Sequence, residues 1–150
     1  SSDVCSSDLA LWSLNLLGEL CTANGTRWLQ HSDPHIRRWV IRLAGDHHLN
    51  IPELAQIAGN ESDIQVRTQI ASTAKRMDPE LGLSMIRGLL SHEADLTDPH
   101  QPLLIWWAIE SHCDRWAEMQ AFLEQDAVWK SKILIICGPG TEKINFKRIY

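Results

Sequence analysis

The chain has 150 residues, of which 44% are apolar and 22% charged, with 14 Lys and Arg side chains against 19 Asp and Glu. This length predicts one domain, and the composition excludes a disordered or fibrous protein. The longest apolar runs, 102–109 and 133–137, are far shorter than the ~20 residues that cross a bilayer, so no membrane insertion is expected. A net charge of −5 argues against a nucleic-acid partner.

The first residues of the chain do not resemble part of a domain. Residues 1–8 are mostly polar and lack the basic region and apolar core of a signal peptide. The DNA AGT TCA GAC GTG TGC TCT TCC GAT CTN encodes the first nine residues, and it resembles a common sequencing-library adapter. We therefore expect 1–8 to be an unstructured artefact and the chain to be a fragment of a larger protein.

The next segments predict helices. A helix is predicted over 9–20 and a short one over 26–31, and then a motif recurs. DPHIR at 33–37 is followed thirty residues later by DIQVR at 63–67, and DPH appears again at 98–100. Each copy precedes an apolar segment with helical spacing.

Each copy of the motif has the features of a helix start. An Asp N-cap accepts hydrogen bonds from the free amides of the first turn, and a Pro at the next position has no amide to leave unpaired. Further amphipathic helices begin at Pro52 and Pro79, between the copies. The repeating unit is therefore helix, turn, helix, in about 30–35 residues.

The C-terminal part is predicted in two pieces. A helix over 114–125 would open a fourth pair. Residues 130–150 then carry five basic side chains and one acidic, against nine and eighteen in residues 1–129. Two interpretations fit this divergent basic tail: a short strand-like segment with a turn and a solvated end, or a frameshifted stretch.

Paired helices with Asp before, and Arg within, the second helix resemble HEAT repeats over about residues 9–126. The resemblance implies an all-α fold, an α-solenoid of antiparallel helix pairs (HEAT/armadillo-like) with about three to four repeats over 9–129. In that family Asp and Arg form a stacked polar ladder, and Pro102 at the ladder position of the third copy removes one rung. Ladder and capping roles therefore fall to Asp33 with Arg37, Asp63 with Arg67, and Asp98.

Three phrases, HIRRWVIRLAGD at 35–46, QIASTAKR at 69–76 and DPHQPLLIWWAIE at 98–110, are similar to the HEAT region of PVC-type membrane-bound dehydrogenases. Those exported proteins join a sugar-dehydrogenase-like β-propeller to HEAT repeats and a cytochrome c domain. This resemblance implies a periplasmic or exported parent protein. The sequence contains no CxxCH, so covalent haem attachment within it is excluded, and no cofactor is expected in this segment.

Residues with catalytic or metal-binding chemistry do not form recognisable sets. Pro34 starts a helix between His31 and His35, and the adjacent side chains of His47 and His48 diverge, so zinc spacing is absent. The run His-Cys-Asp at 112–114 is more typical of a helix boundary than of a nucleophile with its base. No catalytic residue and no metal ligand is predicted.

Four residues are candidates for an interaction surface. Arg38 and Arg42 are four residues apart and therefore share a helix face. The alternative is that these two arginines only form a solvated face of the helix. Trp106 and Trp107 point about 100° apart, so at most one faces the core squarely. Core packing of these Trp residues is the alternative.

The leading functional hypothesis is a non-catalytic HEAT-repeat scaffold that binds a protein or neighbouring domains of the same chain. One alternative is the spacer region of an exported, membrane-associated, sugar-type dehydrogenase whose cytochrome c domain lies elsewhere in the chain. Another is a stand-alone HEAT adaptor like those that serve phycobilin lyases.

Overall fold

A computed structural model of the protein describes residues 2–112, and this part of the chain is all-helical. The helices are α1 Ser2–Leu16, α2 Thr22–Trp28, α3 Pro34–Asp46, α4 Glu53–Asn60, α5 Ile64–Ala74, α6 Pro79–Leu89 and α7 Gln101–Glu110, with a 3-10 helix at Glu93–Thr97 before α7. The all-α class is therefore confirmed over this range. The predicted helix 114–125 and the basic tail 130–150 lie outside the described residues.

The recurring Asp residues bind backbone amides at or just before the start of the next helix, and two of the three are helix N-caps. In α3, Asp33 Oδ1 accepts a hydrogen bond from the amide of His35 at 2.8 Å. Asp63 Oδ1 accepts from two amides at the start of α5, at 2.8 and 3.1 Å. Asp98 Oδ1 makes the same pair of bonds, at 2.8 and 2.9 Å, with the amides of His100 and Gln101 where α7 begins. The first two copies of the motif therefore cap their helices as predicted. The prediction is wrong for the third copy, because His100 is the N-cap of α7 and Asp98 binds the turn that leads into the helix.

The N-terminus differs from the unstructured segment that the sequence predicts for residues 1–8. The α1 helix begins at Ser2, because adding residues to an existing helix costs far less than nucleating a new one. Among the side chains that the structure describes in α1, Leu11 is the first that is buried, whereas Ser6 and Leu9 are exposed. The α2 helix also begins earlier than predicted, at Thr22.

Alternate helices stack against each other. The α3 helix packs between α1 and α5, the α5 helix packs on α7, and the α4 helix packs on α6. Each contact is made by an apolar stripe, and burying one such side chain stabilises the fold by about 1.5–3 kcal/mol. The fully buried members include Ile36, Val40 and Ile41 of α3, Leu54 and Ala58 of α4, Val66 and Ile70 of α5, Met85 and Ile86 of α6, and Ile109 of α7.

The α4–α6 contact is close enough to require glycine. A Cβ atom on Gly88 would lie 2.8 Å from both the Cβ of Ala58 and the amide nitrogen of Gly59, and 3.0 Å from the carbonyl oxygen of Ala55. A Cβ atom on Gly59 would meet nothing nearer than the Gly88 Cα, at 3.7 Å. Gly88 therefore lies too close to α4 to carry a Cβ atom, whereas a Cβ atom on Gly59 would be at an ordinary contact distance.

Replacing Gly88 with Ala should lower the free energy of unfolding, because forcing α4 and α6 apart costs about 1–3 kcal/mol. That cost exceeds the helix-propensity gain of about 0.5–1 kcal/mol. Gly59→Ala is the matched control and should leave stability unchanged or raise it. Urea unfolding followed by circular dichroism measures both, and equal effects of the two substitutions would contradict the close packing described.

Candidate functional site

Arg37, in the first turn of α3, is held by four hydrogen bonds. Its Nη1 donates to the carbonyl oxygens of His31 at 2.8 Å and Ser32 at 3.0 Å. Its Nε and Nη2 donate to the two carboxylate oxygens of Glu61 at 2.9 and 2.7 Å. The bidentate geometry fixes both partners, and charge-assisted bonds of this kind are about twice as strong as neutral ones.

Arg67 repeats the arrangement one unit later, in α5. Its Nη1 donates to the carbonyl oxygens of Glu61 and Ser62, at 2.9 and 2.8 Å. Its Nε and Nη2 donate to the carboxylate of Asp95 at 2.5 and 2.7 Å. Arg67 and Asp95 are both buried. In each copy, the arginine donates to the carbonyl groups of the residues six and five positions before it. It also donates to a carboxylate that comes later in the chain, just before the next copy of the motif.

Glu61 joins the two arginines. Its carboxylate pairs with Arg37, its backbone carbonyl accepts from Arg67, and its Oε1 also accepts from the amide of Asp63 at 2.9 Å. A continuous polar line, called here the arginine ladder, therefore runs through Arg37, Glu61, Arg67 and Asp95. Four residues after the Asp of the motif, where the first two copies have an arginine, the third copy has Pro102. Proline has no side-chain donor, so the described ladder ends at Asp95.

The electrostatics of the ladder favour its ionised form. The hydrogen bond that Arg37 donates to Glu61 raises the pKa of Arg37 above its usual range, and the bond that Arg67 donates to Asp95 does the same for Arg67. Burial is the largest influence on Glu61 and opposes its ionisation. The hydrogen bonds from Arg37 and from the Asp63 amide, together with the charge of Arg37, outweigh it and lower the pKa of Glu61. Hydrogen bonds from the Gln101 and His100 amides lower the pKa of Asp98.

The carboxylates of the ladder are not the ones that the sequence suggested. Asp33 and Asp63 were expected to pair with the arginines, but their side chains hydrogen-bond the first amides of α3 and α5 instead. The partners are Glu61 and Asp95, which sequence analysis missed. The available signal was an acidic residue two or three positions before the second and third copies of the motif.

Three histidines tie helices together through backbone carbonyls. His92 Nε2 lies 3.0 Å from the Ala58 oxygen, and His112 Nε2 lies 3.0 Å from the Ala74 oxygen. His48 Nδ1 lies 3.0 Å from the carbonyl oxygen of Arg76. Since a carbonyl only accepts, each ring nitrogen is the donor. Within residues 2–112, no group of three or more His, Cys, Asp or Glu side chains is arranged to hold a metal ion.

The candidate residues on α3 lie in a cluster with two tryptophans. The Arg42 guanidinium carbon is 5.3 Å from the centre of the Trp39 ring, a cation–π distance. Trp39 meets Trp12 of α1 edge to face, with ring centres 4.9 Å apart. Arg38 Nη2 lies 3.2 Å from His35 Nδ1.

The candidate tryptophans lie elsewhere, on α7, which packs on α5 and α6. Trp106 is half-buried, and Trp107 is 47% exposed. Core packing was the alternative for these residues, but the core positions of α7 are occupied by the smaller Ile105, Ala108 and Ile109. The Cys and Asp of the His-Cys-Asp run, at 113 and 114, lie outside the described residues.

Comparison with known protein families, with curated proteins and with solved structures gives no significant match. No helix in the part of the chain that the structure describes is both long enough and apolar enough to span a membrane.

The lowered pKa of Glu61 predicts a pH-dependent contribution to stability. Because the folded state binds this proton less tightly than the ordinary pKa of 4.5 implies, ionised Glu61 stabilises the fold above that pH. The contribution is lost as the pH falls through the lower, folded-state pKa. Glu61→Gln should therefore cost about 1–3 kcal/mol at pH 7 and progressively less in more acidic solution.

Urea unfolding of the original chain and of the Glu61→Gln variant between pH 7 and pH 3 measures the difference in their free energies of unfolding. Glu80→Gln, at an exposed position of α6, is the control and should change stability by less than about 0.5 kcal/mol throughout. A cost of Glu61→Gln that stays constant across the pH range would show that its charge does not stabilise the ladder.

Proposed function

We propose that this part of the chain is a HEAT-like α-solenoid. Three features support the proposal. Alternate helices stack, a motif recurs after about 30–35 residues, and the arginines of α3 and α5 each bind two backbone carbonyls and one carboxylate. Each helix pair then buries its apolar stripe against the next pair, so the chain grows in one direction.

The function proposed for it is that of a non-catalytic scaffold, which binds a protein or neighbouring domains of a longer chain. The observation that carries this proposal is how the recurring polar residues are used. Asp33 and Asp63 cap helices, and Arg37 and Arg67 are bound to carbonyl and carboxylate groups. These residues therefore serve the stacking of repeats. Solenoids bind partners through extended surfaces that such stacking creates.

A second candidate is the spacer of an exported dehydrogenase with a β-propeller and a cytochrome c domain, favoured by the three phrases that resemble that group. A stand-alone adaptor is the remaining alternative. Sequencing the source DNA distinguishes them, because a CxxCH motif downstream of Tyr150 favours the dehydrogenase, whereas an early stop codon favours the adaptor.

The scaffold proposal is tested by the metal content and visible absorbance of the purified chain after dialysis. A scaffold should retain far less than one equivalent of zinc, copper or iron, and should show no haem band. Stoichiometric metal would contradict the proposal. Replacing His92 or His112 with Ala would then show whether the histidines now assigned to helix contacts hold it.

A further inference from the structure

The outer face of α1 carries an exposed apolar stripe. Leu9, Trp12 and Leu16 are spaced by three and four residues, which places them on one side of the helix. Leu9 is 63% exposed and Leu16 is 82% exposed, whereas Leu11 is buried. Apolar residues therefore occupy two faces of α1, a pattern typical of a helix that is packed on both sides.

The stripe is continuous with the cluster on α3. Trp12 contacts Trp39, and Arg42 lies over the Trp39 ring. The His35 ring, which lies next to Arg38, is centred 6.4 Å from the Trp39 ring. The α1–α3 surface, defined by Leu9, Trp12, Leu16, Trp39, Arg38 and Arg42, is therefore an apolar face with guanidinium groups along one border.

The border of the α1–α3 surface is positive although the chain is acidic overall. Arg42 lies near the carboxylate of Asp46, with Nε and Oδ2 3.8 Å apart. Asp46 also accepts a hydrogen bond from Arg76, so its charge is shared between two arginines. Arg38 contacts a histidine ring nitrogen rather than a carboxylate. Two guanidinium groups are thus available to one additional anionic partner.

We propose that the α1–α3 surface binds an acidic amphipathic helix of a partner protein. The partner's apolar side chains would pack on the leucine and tryptophan stripe, and carboxylates on its flank would meet Arg38 and Arg42. A helix is favoured over an extended peptide because residues 2–112 contain no strand edge to pair with an extended backbone. The inference rests on the proposed scaffold role and names the class of its partner.

An anionic membrane or a nucleic acid is disfavoured as the occupant. Binding to anionic surfaces is strengthened by many basic groups acting together, whereas this surface offers two arginines on a chain with a net charge of −5. A protein helix needs only a few carboxylates in register with them, because salt bridges act at short range.

The probe is a synthetic amphipathic helix of about 18 residues, with Leu on one face and Glu on its flanks, titrated calorimetrically into the full chain. The same peptide with Lys in place of Glu is the charge-reversed control. We expect the Glu peptide to bind about tenfold more tightly than the Lys peptide, and less tightly at high salt. Equal binding of the two peptides, or preferential binding of phosphatidylserine vesicles, would overturn the inference.

Two sets of variants locate the binding site. Leu16→Ser removes an exposed apolar side chain, and it should weaken binding of the Glu peptide about tenfold while leaving the melting temperature unchanged. Arg38→Gln combined with Arg42→Gln should weaken it about three- to tenfold and abolish the preference for Glu over Lys. Arg87→Gln, an exposed arginine of α6, is the matched control and should bind like the original chain.

Undiminished binding by both variants would overturn the assignment of this surface. That result would differ from a failure of the scaffold proposal. The scaffold proposal fails if the chain retains metal or haem, and this outcome does not depend on peptide binding.

Discussion

The structure depends on a buried charge, the guanidinium of Arg67. An isolated charge in an apolar interior is very costly, so it is tolerated only where its donors are hydrogen-bonded and its charge is balanced. Four of its five N–H groups are used, on Asp95 and on the carbonyls of Glu61 and Ser62. This requirement fixes the loop before α5 and the 3-10 helix before α7 in relation to each other, and so sets how those helices stack.

Glu61 extends this constraint backwards along the chain, because the same residue binds Arg37 of α3. The buried polar groups of the ladder therefore hold successive helices together. The residues that could bind a partner lie outside the ladder. They are the exposed leucines of α1 together with Arg38, Trp39 and Arg42 of α3, which make no ladder contact. This division between an internally satisfied ladder and an outward-facing apolar and cationic surface is what the scaffold proposal rests on.

Local chemistry made the helix starts predictable from sequence, because an Asp N-cap acts on amides two or three residues away, as at Asp63. The ladder partners were not predictable in the same way. Glu61 and Asp95 follow their arginines by 24 and 28 residues, so their pairing depends on how whole helices stack. The resemblance of the coding DNA to a sequencing adapter likewise does not determine backbone conformation, and residues 2–8 continue the α1 helix.

The most direct test is a double-mutant cycle on the buried pair, using Arg67→Met, Asp95→Leu and the double variant, with free energies of unfolding measured in urea. If the pair holds the repeats together, each single substitution leaves a buried charge without its partner and should cost about 3–5 kcal/mol. The double variant should cost less than the sum of the two by roughly 1–3 kcal/mol. Additivity within about 0.5 kcal/mol would contradict the account, because the two charges would then stabilise the fold independently.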